Sequence, residues 1–199
     1  MVTLHQTNDR GKDLPTLTLL DRDLIGEGRD RMCFRHPLNP KLCIKIAKKK
    51  EKQTAREIRY LSYAKKKKKD LTYISRFYHT VKTNLGPGYV FDLALGTDNE
   101  PAESLDALLS SNRINLSELA QHLSEFHHYL MTNALCVYDL SPRNVCVIID
   151  HNHLKLFIID GLGIPSGDFV TPRVTYLTRR LMHKRWRRFI RKIEFSATQ

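Results

Sequence analysis

With 199 residues, 23.2 kDa and 41% hydrophobic side chains, the chain has enough apolar material for a core in one domain or two apposed lobes; this excludes a disordered segment and a large repeat array. The formal net charge is +12 and it is concentrated: residues 41–70 hold 13 basic and 3 acidic side chains, residues 171–199 hold 9 and 1, and the remainder is acidic at −6. Two basic surfaces on an acidic body point to phosphate-bearing partners, such as nucleic acid, anionic lipid or phosphorylated glycan, rather than to a generally cationic protein.

In chain order, residues 1–16 are polar and aperiodic, a poorly docked tail with no apolar stretch of the length a secretory signal needs. Leu17 to Leu20 and Leu24-Ile25 are strand-like, Gly26-Glu27-Gly28 reads as a break, and Arg31 to Phe34 as extended. A turn at Pro37-Leu38-Asn39-Pro40 then leads into a strand over Leu42 to Ala47. Ile58, Leu61 and Ala64 space an amphipathic helix over Glu51 to Ala64, which runs out into the solvated lysines Lys65 to Lys69. Tyr73 to Val81 is extended, and Gly86-Pro87-Gly88 turns the chain into Tyr89 to Leu95. The polar stretch 96–103 is the expected boundary between a sheet-rich first part (17–95) and a helical second part (96–199).

Asn115 with Glu118 predicts a capping box, followed by Leu116, Leu119, Ala120, Leu123, Phe126, Leu130 and Met131 at helical spacing. The apolar runs Val145 to Ile149 and Leu154 to Ile159 flank Asp150-His151-Asn152-His153 and predict a hairpin; they are too short and too interrupted to span a membrane. A last helix over Thr178 to Phe195 places Met182, Trp186, Phe189 and Ile193 on one face, ringed by arginine and lysine. Cys33, Cys43, Cys136 and Cys146 form no CxxC pair and lie in or beside apolar strands, so they read as reduced small hydrophobes in a cytosolic protein rather than as zinc ligands.

Three places carry candidate chemistry. Gly26-Glu27-Gly28 lies between two strands, which argues against a dinucleotide fingerprint and for a flap whose backbone covers phosphates; no Walker motif is present. Lys45, flanked by Ile44 and Ile46, needs either an anionic partner, which Glu57 on the next helix could supply, or a wet edge of the sheet. Asp139, Asn144 and Asp160 present two carboxylates and an amide in short loops around the hairpin, either as oxygen ligands for Mg²⁺ or as turn caps.

Asp139-Leu140 with Asn144, then Asp160-Gly161, preceded in order by Gly26-x-Gly28, Lys45 and Glu57, resembles the catalytic elements of the protein-kinase-like superfamily. More closely, Leu24 to Ile46, Gly86 to Leu93 and Lys184 to Ile190 resemble the PhoP regulatory network (YrbL-like) family of kinase-like proteins, over most of residues 20–195. The resemblance implies an α+β, protein-kinase-like two-lobed fold with a small antiparallel-sheet N-lobe and a truncated helical C-lobe. It implies ATP and Mg²⁺ as cofactors. Lys45, held by Glu57, would bind the α/β-phosphates, and Asp139 would orient the acceptor hydroxyl. Asn144 and Asp160 would ligate Mg²⁺, Gly26 to Gly28 would cover the triphosphate, and backbone at Phe91, Asp92 and Leu93 would receive adenine.

Against the kinase pattern, Val137-Tyr138 replaces His-Arg, Ser141 replaces a lysine for which Arg143 or Arg29 could compensate, Leu162 replaces a glycine, and Arg31 stands where a third loop glycine is usual. The 39 residues after Asp160 leave no room for a peptide-binding subdomain, so the expected acceptor is a glycan, lipid-linked sugar or small molecule. Two other readings remain: a regulatory pseudokinase that binds nucleotide or a partner without turnover, and a basic nucleic-acid or membrane-surface adaptor. The terminal helix either packs its apolar stripe on the second lobe or lies on an anionic membrane or lipopolysaccharide surface at the inner face of the membrane. Nucleic acid is the less expected partner, because no base-stacking platform accompanies the charge.

Overall fold

The computed structural model describes residues 16–28, 30–48, 52–150, 153–164 and 170–197. The first fifteen residues of the expected tail, Arg29, and the tip of the expected hairpin at 151–152 lie outside these.

Five antiparallel strands form one sheet: β1 (Leu24–Glu27), β2 (Arg31–Arg35), β3 (Leu42–Ala47), β4 (Phe77–Thr83) and β5 (Gly86–Asp92), in the order β1-β2-β3-β5-β4. Successive side chains of a strand point to opposite faces, and β3 shows why this matters. Ile44 and Ile46 face outward into a small cluster with Phe34, Val90 and Leu19. Cys43 faces the other way, into the main core with Tyr89 and Phe91, and Lys45 shares its parity. Lys45 is therefore directed inward by register and is only 7% exposed, so the wet-edge alternative does not hold.

Two expected breaks fall inside strands. Gly26 and Glu27 belong to β1 and pair with Cys33 and Met32, so the reversal occurs at Gly28, whose N–H donates to the Arg31 carbonyl at 2.8 Å. Gly86-Pro87-Gly88 belongs to β5, and the reversal sits at Asn84-Leu85, where Asn84 ties back to Leu19 through its side chain. Gly88 is required for another reason: a Cβ there would lie 2.6 Å from Cγ2 of Ile44, so glycine lets β5 pack flat against the outer cluster.

Helix α1 (Lys52–Lys66) crosses the inner face and buries Thr54, Glu57, Ile58, Tyr60, Leu61 and Ala64. A short helix that the sequence pattern did not reveal, α2 (Leu105–Ser110), is capped by Ser104, whose hydroxyl accepts from the Ala107 N–H. α3 (Leu116–Thr132) begins at the expected Asn115/Glu118 capping box. The chain then passes through buried Leu135, Cys136 and Val137 into a loop ending in a one-turn helix at Pro142–Asn144. The expected hairpin follows, β6 (Val145–Asp150) paired with β7 (His153–Ile158). α4 (Thr175–Ser196) closes the fold.

The hairpin joins the sheet through the Ser75 N–H, which donates to the Ile158 carbonyl, and through the Ile74–Ile158 bridge. The main core runs continuously from Cys43 and Phe91 through α1 to Phe126, Leu156 and Phe189. Among the described residues the architecture is thus mixed α+β, with one five-stranded antiparallel sheet, the two-stranded β6–β7 hairpin and four α-helices. All four cysteines are free thiols.

Candidate functional site

The residues singled out from the sequence meet where the inner face of the sheet abuts the end of the hairpin. Glu57 is the unusual member. It lies in the middle of the apolar stripe of α1 and is 1% exposed, a placement that is costly unless the carboxylate is bonded. Its Oε1 accepts from the Gly161 N–H at 2.9 Å and its Oε2 from Nη1 of Arg31 at 2.7 Å. Lys45 is not its direct partner: Nζ donates to the Ile159 carbonyl at 2.6 Å and sits 4.1 Å above the Phe91 ring. Lys45 pulls on Glu57 through space instead. Burial dominates all the same, and pushes the Glu57 carboxyl up to about 7.

Asp160 is oppositely placed. Burial opposes its ionisation, yet the Glu57 carboxyl and the charges of Lys45 and Arg31 outweigh that cost and hold Asp160 well below the usual carboxylate range. It forms an ion pair with Arg31, and Nε2 of Gln53 donates to its two oxygens at 3.2 and 3.4 Å. Its own neighbour, the Gly161 N–H, lies 2.5 Å from Oδ1. Gly161 has φ +87°, and a Cβ there would meet the Asp139 carbonyl oxygen at 2.5 Å. Glycine thus permits the close approach that lets the Asp139 N–H donate to the Gly161 carbonyl at 3.1 Å. Asn144 completes the chain of contacts, its Nδ2 donating to the Asp139 carbonyl at 2.9 Å and to Asp139 Oδ2 at 3.1 Å.

One hydrogen-bonded network therefore holds Lys45, Glu57, Asp139, Asn144 and Asp160, with Lys45 and its acceptor 114 positions apart in sequence. The other sequence-selected residues lie around it. Gly26 has open space above it, and the Gly28 carbonyl receives Nζ of Lys48 at 3.0 Å. Phe91 is buried beneath Lys45. The Asp92 carbonyl accepts from Ser75 Oγ at 2.8 Å, and the Leu93 N–H donates to the Lys41 carbonyl at 3.0 Å, so this backbone is already engaged within the fold. The Asp92 side chain faces outward to Arg76 and Tyr78. Arg143 pairs with Asp106 at 3.0 Å; Arg29 is outside the described residues.

Two members of the network escaped the sequence reading. Arg31 was visible only as a departure from a glycine pattern. Gln53 carried no signal, since a glutamine near the start of a helix is ordinary. Among the described residues, no group of three or more His, Cys, Asp or Glu side chains is arranged as a metal cage.

Against the loop at 138–144, where Arg185 sits 4.0 Å over the Tyr138 ring, α4 buries Met182, Phe189 and Ile193 in the core, with Trp186 5.3 Å from Phe189 and 6.2 Å from Phe126. Its apolar stripe is thus spent on packing, while Arg179, Arg180, Lys184, Arg187, Arg188, Arg191 and Lys192 stay exposed. No helix among the described residues is long and apolar enough to cross a membrane.

A mixed α+β chain with a buried, internally neutralised ionic network between sheet and hairpin is what the fold defines. Comparison then places it: the family described as PhoP regulatory network protein YrbL matches residues 17–194, and the chain belongs to that family. It is 28% identical over 181 residues to the YrbL proteins of Escherichia coli (strain K12) and Shigella flexneri, a match covering 87% of this chain and 86% of each relative.

Proposed function

We propose that the chain has the protein-kinase-like fold, with lobes at 17–95 and 96–199, and that it binds ATP and Mg²⁺ to phosphorylate a hydroxyl of a non-protein acceptor such as a glycan, lipid-linked sugar or small molecule. The observation that carries this reading is the convergence of Lys45, Glu57, Asp139, Asn144 and Asp160 in one network. The donor chemistry fits a hard cation: Asp160 is kept ionised, and Asn144 turns its N–H toward Asp139, which leaves its amide oxygen for a ligand. Two such donors suffice where phosphate oxygens and water complete the shell, as Mg²⁺ commonly requires.

Bound Mg²⁺ and ATP would supply the transferable group and neutralise its charge, in a reaction whose loose transition state asks the protein for positioning more than for covalent help. Lys45 would exchange its carbonyl partner for the α/β-phosphates. Glu57 acts as a positioning residue, fixing Gly161 and so the orientation of Asp160. Asp139 would orient the acceptor hydroxyl, the end of β1 at Gly26 and the reversal at Gly28 would cover the triphosphate, and Phe91 to Leu93 would border the base. The exposed cations of α4 suit an accessory contact with an anionic membrane or lipopolysaccharide surface from the cytoplasmic side.

One observation favours a second reading. The Asp160 carboxylate is already occupied by donors of the chain itself, as in a regulatory pseudokinase that binds nucleotide without turnover. Thermal stability with and without MgATP, in the intact protein and in Asp160→Ala, tests the site. A ligand at a hundred times its dissociation constant adds about 2.7 kcal/mol, and the rise is expected to vanish in the variant. No shift at millimolar MgATP in folded protein would sink the nucleotide reading; a shift without ADP release on any acceptor selects the pseudokinase. Binding to anionic surfaces that survives Asp160→Ala, with no nucleotide effect, would select the basic adaptor.

A further inference from the structure

Arg31 is built into the network more deeply than its exposure at a strand edge would suggest. Its side chain is 10% exposed, and its guanidinium forks between two acids, Nη1 on Glu57 and Nη2 on Asp160. In the register of β2 it shares the face of Cys33 and Lys45, the inner face of the sheet. It also closes the β1–β2 turn, because its carbonyl accepts the Gly28 N–H.

The three donors on Asp160 differ in how readily they can leave. The Gly161 N–H is backbone and is also held by Glu57. Gln53 contributes two long bonds. Arg31 supplies the charge, on a long side chain carried by the strand that leads out of the turn. A cation arriving at Asp160 would face the guanidinium across a short distance, where like charges repel strongly away from bulk water. A guanidinium displaced from a carboxylate has a natural second partner, since its planar fork matches phosphate in the same two-pronged way.

We infer that Arg31 is a residue with two positions: in the ligand-free chain it caps Asp160 and excludes a divalent cation, and in the loaded chain it moves onto the polyphosphate of the nucleotide. Metal and nucleotide entry are thereby coupled, because neither leaves Arg31 unpaired when the other is present. The inference rests on the nucleotide reading of the site, and its test separates the two.

The probes are Mn²⁺ alone, followed by its electron paramagnetic resonance signal, and Mg²⁺ with the non-hydrolysable analogue AMP-PNP, followed by calorimetry, each applied to the intact protein, Arg31→Gln and Arg31→Lys. The expected result is that Arg31→Gln binds Mn²⁺ at least tenfold more tightly than the parent and MgAMP-PNP at least tenfold more weakly. Arg31→Lys keeps the charge without the fork and falls between on both counts; it also serves if the glutamine variant does not fold. A purely structural role for Arg31 would not tighten Mn²⁺ binding. Unchanged Mn²⁺ affinity, with MgAMP-PNP binding intact in the parent, overturns the cap and leaves the nucleotide site standing. Tighter binding of both probes to Arg31→Gln overturns the move onto phosphate, making Arg31 an obstruction only. Failure of all three proteins to bind MgAMP-PNP overturns the nucleotide reading, and the exchange with it, whatever Mn²⁺ does.

Discussion

Helices α1 and α4 look alike along the sequence: both are amphipathic, both are strongly basic, and both press one stripe into the same core. They differ in what that stripe contains. α4 buries Met182, Phe189 and Ile193, with the uncharged hydroxyls of Thr178 near its start and Ser196 at its end the polar exceptions, whereas α1 interrupts Ile58, Leu61 and Ala64 with Thr54 and the carboxylate of Glu57, these last two each 1% exposed. A stripe of apolar side chains stabilises in proportion to the surface it removes from water. A buried carboxylate does the reverse unless partners surround it, so its presence marks a place where the fold holds a charged arrangement at a cost in stability. Two helices with the same periodicity thus divide the work: α4 fastens the molecule and α1 positions the ionic network.

That division is tested by substitutions whose effects on stability and on ligand response should separate. The largest loss of stability is expected on the α4 side. Phe189→Ala removes a ring that is fully buried against Phe126 and Trp186, at about 3–5 kcal/mol. The melting temperature should fall by on the order of 10 °C, while the MgATP-induced rise persists below the new midpoint. Lys45→Met should behave in the opposite way. It removes one charge-assisted bond to the Ile159 carbonyl, about 1.5–3 kcal/mol, and abolishes the MgATP-induced rise. If both variants lose the rise, or neither does, the separation between fastening and site is wrong.

Gly88→Ala sharpens the same comparison within one strand pair. Its methyl group would meet Ile44 on the outer face of β3, the face opposite Lys45. Overpacking of this kind costs about 1–3 kcal/mol; chemical denaturation should show the loss, with MgATP binding unchanged by calorimetry. Reduced affinity would mean that the outer cluster sets the height of Lys45.

The site was more legible in the sequence than the fold around it, for identifiable reasons. Asp139, Asn144, Asp160, Lys45 and Glu57 stood out because their types and order form a pattern, and α3 because Asn115 and Glu118 announce a helix start through local hydrogen bonds. The hairpin was legible because two apolar runs flank a polar tip. Local signals failed where a distant partner decides. Gly86-Pro87-Gly88 has the composition of a turn, yet packing against Ile44 uses Gly88 as strand, and the reversal falls on Asn84, which Leu19 holds from far away in the chain. α2 is only six residues long, too short for a periodicity to emerge. The pairing of Arg31 with Asp160 spans 129 positions, and only the folded sheet brings the two together.

The smallest predicted effect returns to α4, where a titratable group is packed without a counter-ion. His127 of α3 lies with its ring 4.6 Å from that of Trp186 and 5.8 Å from that of His183, and its Nε2 is buried with no hydrogen-bond partner among the described residues. Burial, followed by repulsion from His183 and His128, lowers its pKa below the ordinary histidine value. A base whose folded pKa is lowered takes up its proton more readily when unfolded, so the stability tied to its neutral form is complete above about pH 6.5 and drains away as the pH falls through that value. The melting temperature should therefore decline as the pH falls below about 6.5, and His127→Gln should flatten part of that decline while leaving values at pH 8 nearly unchanged. The effect is modest because His127 is only partly buried, so that water screens part of the added charge. An unaltered decline in His127→Gln would assign it to other groups. It would also remove one point at which the α3–α4 contact resembles the α1 side in holding a titratable group against the core.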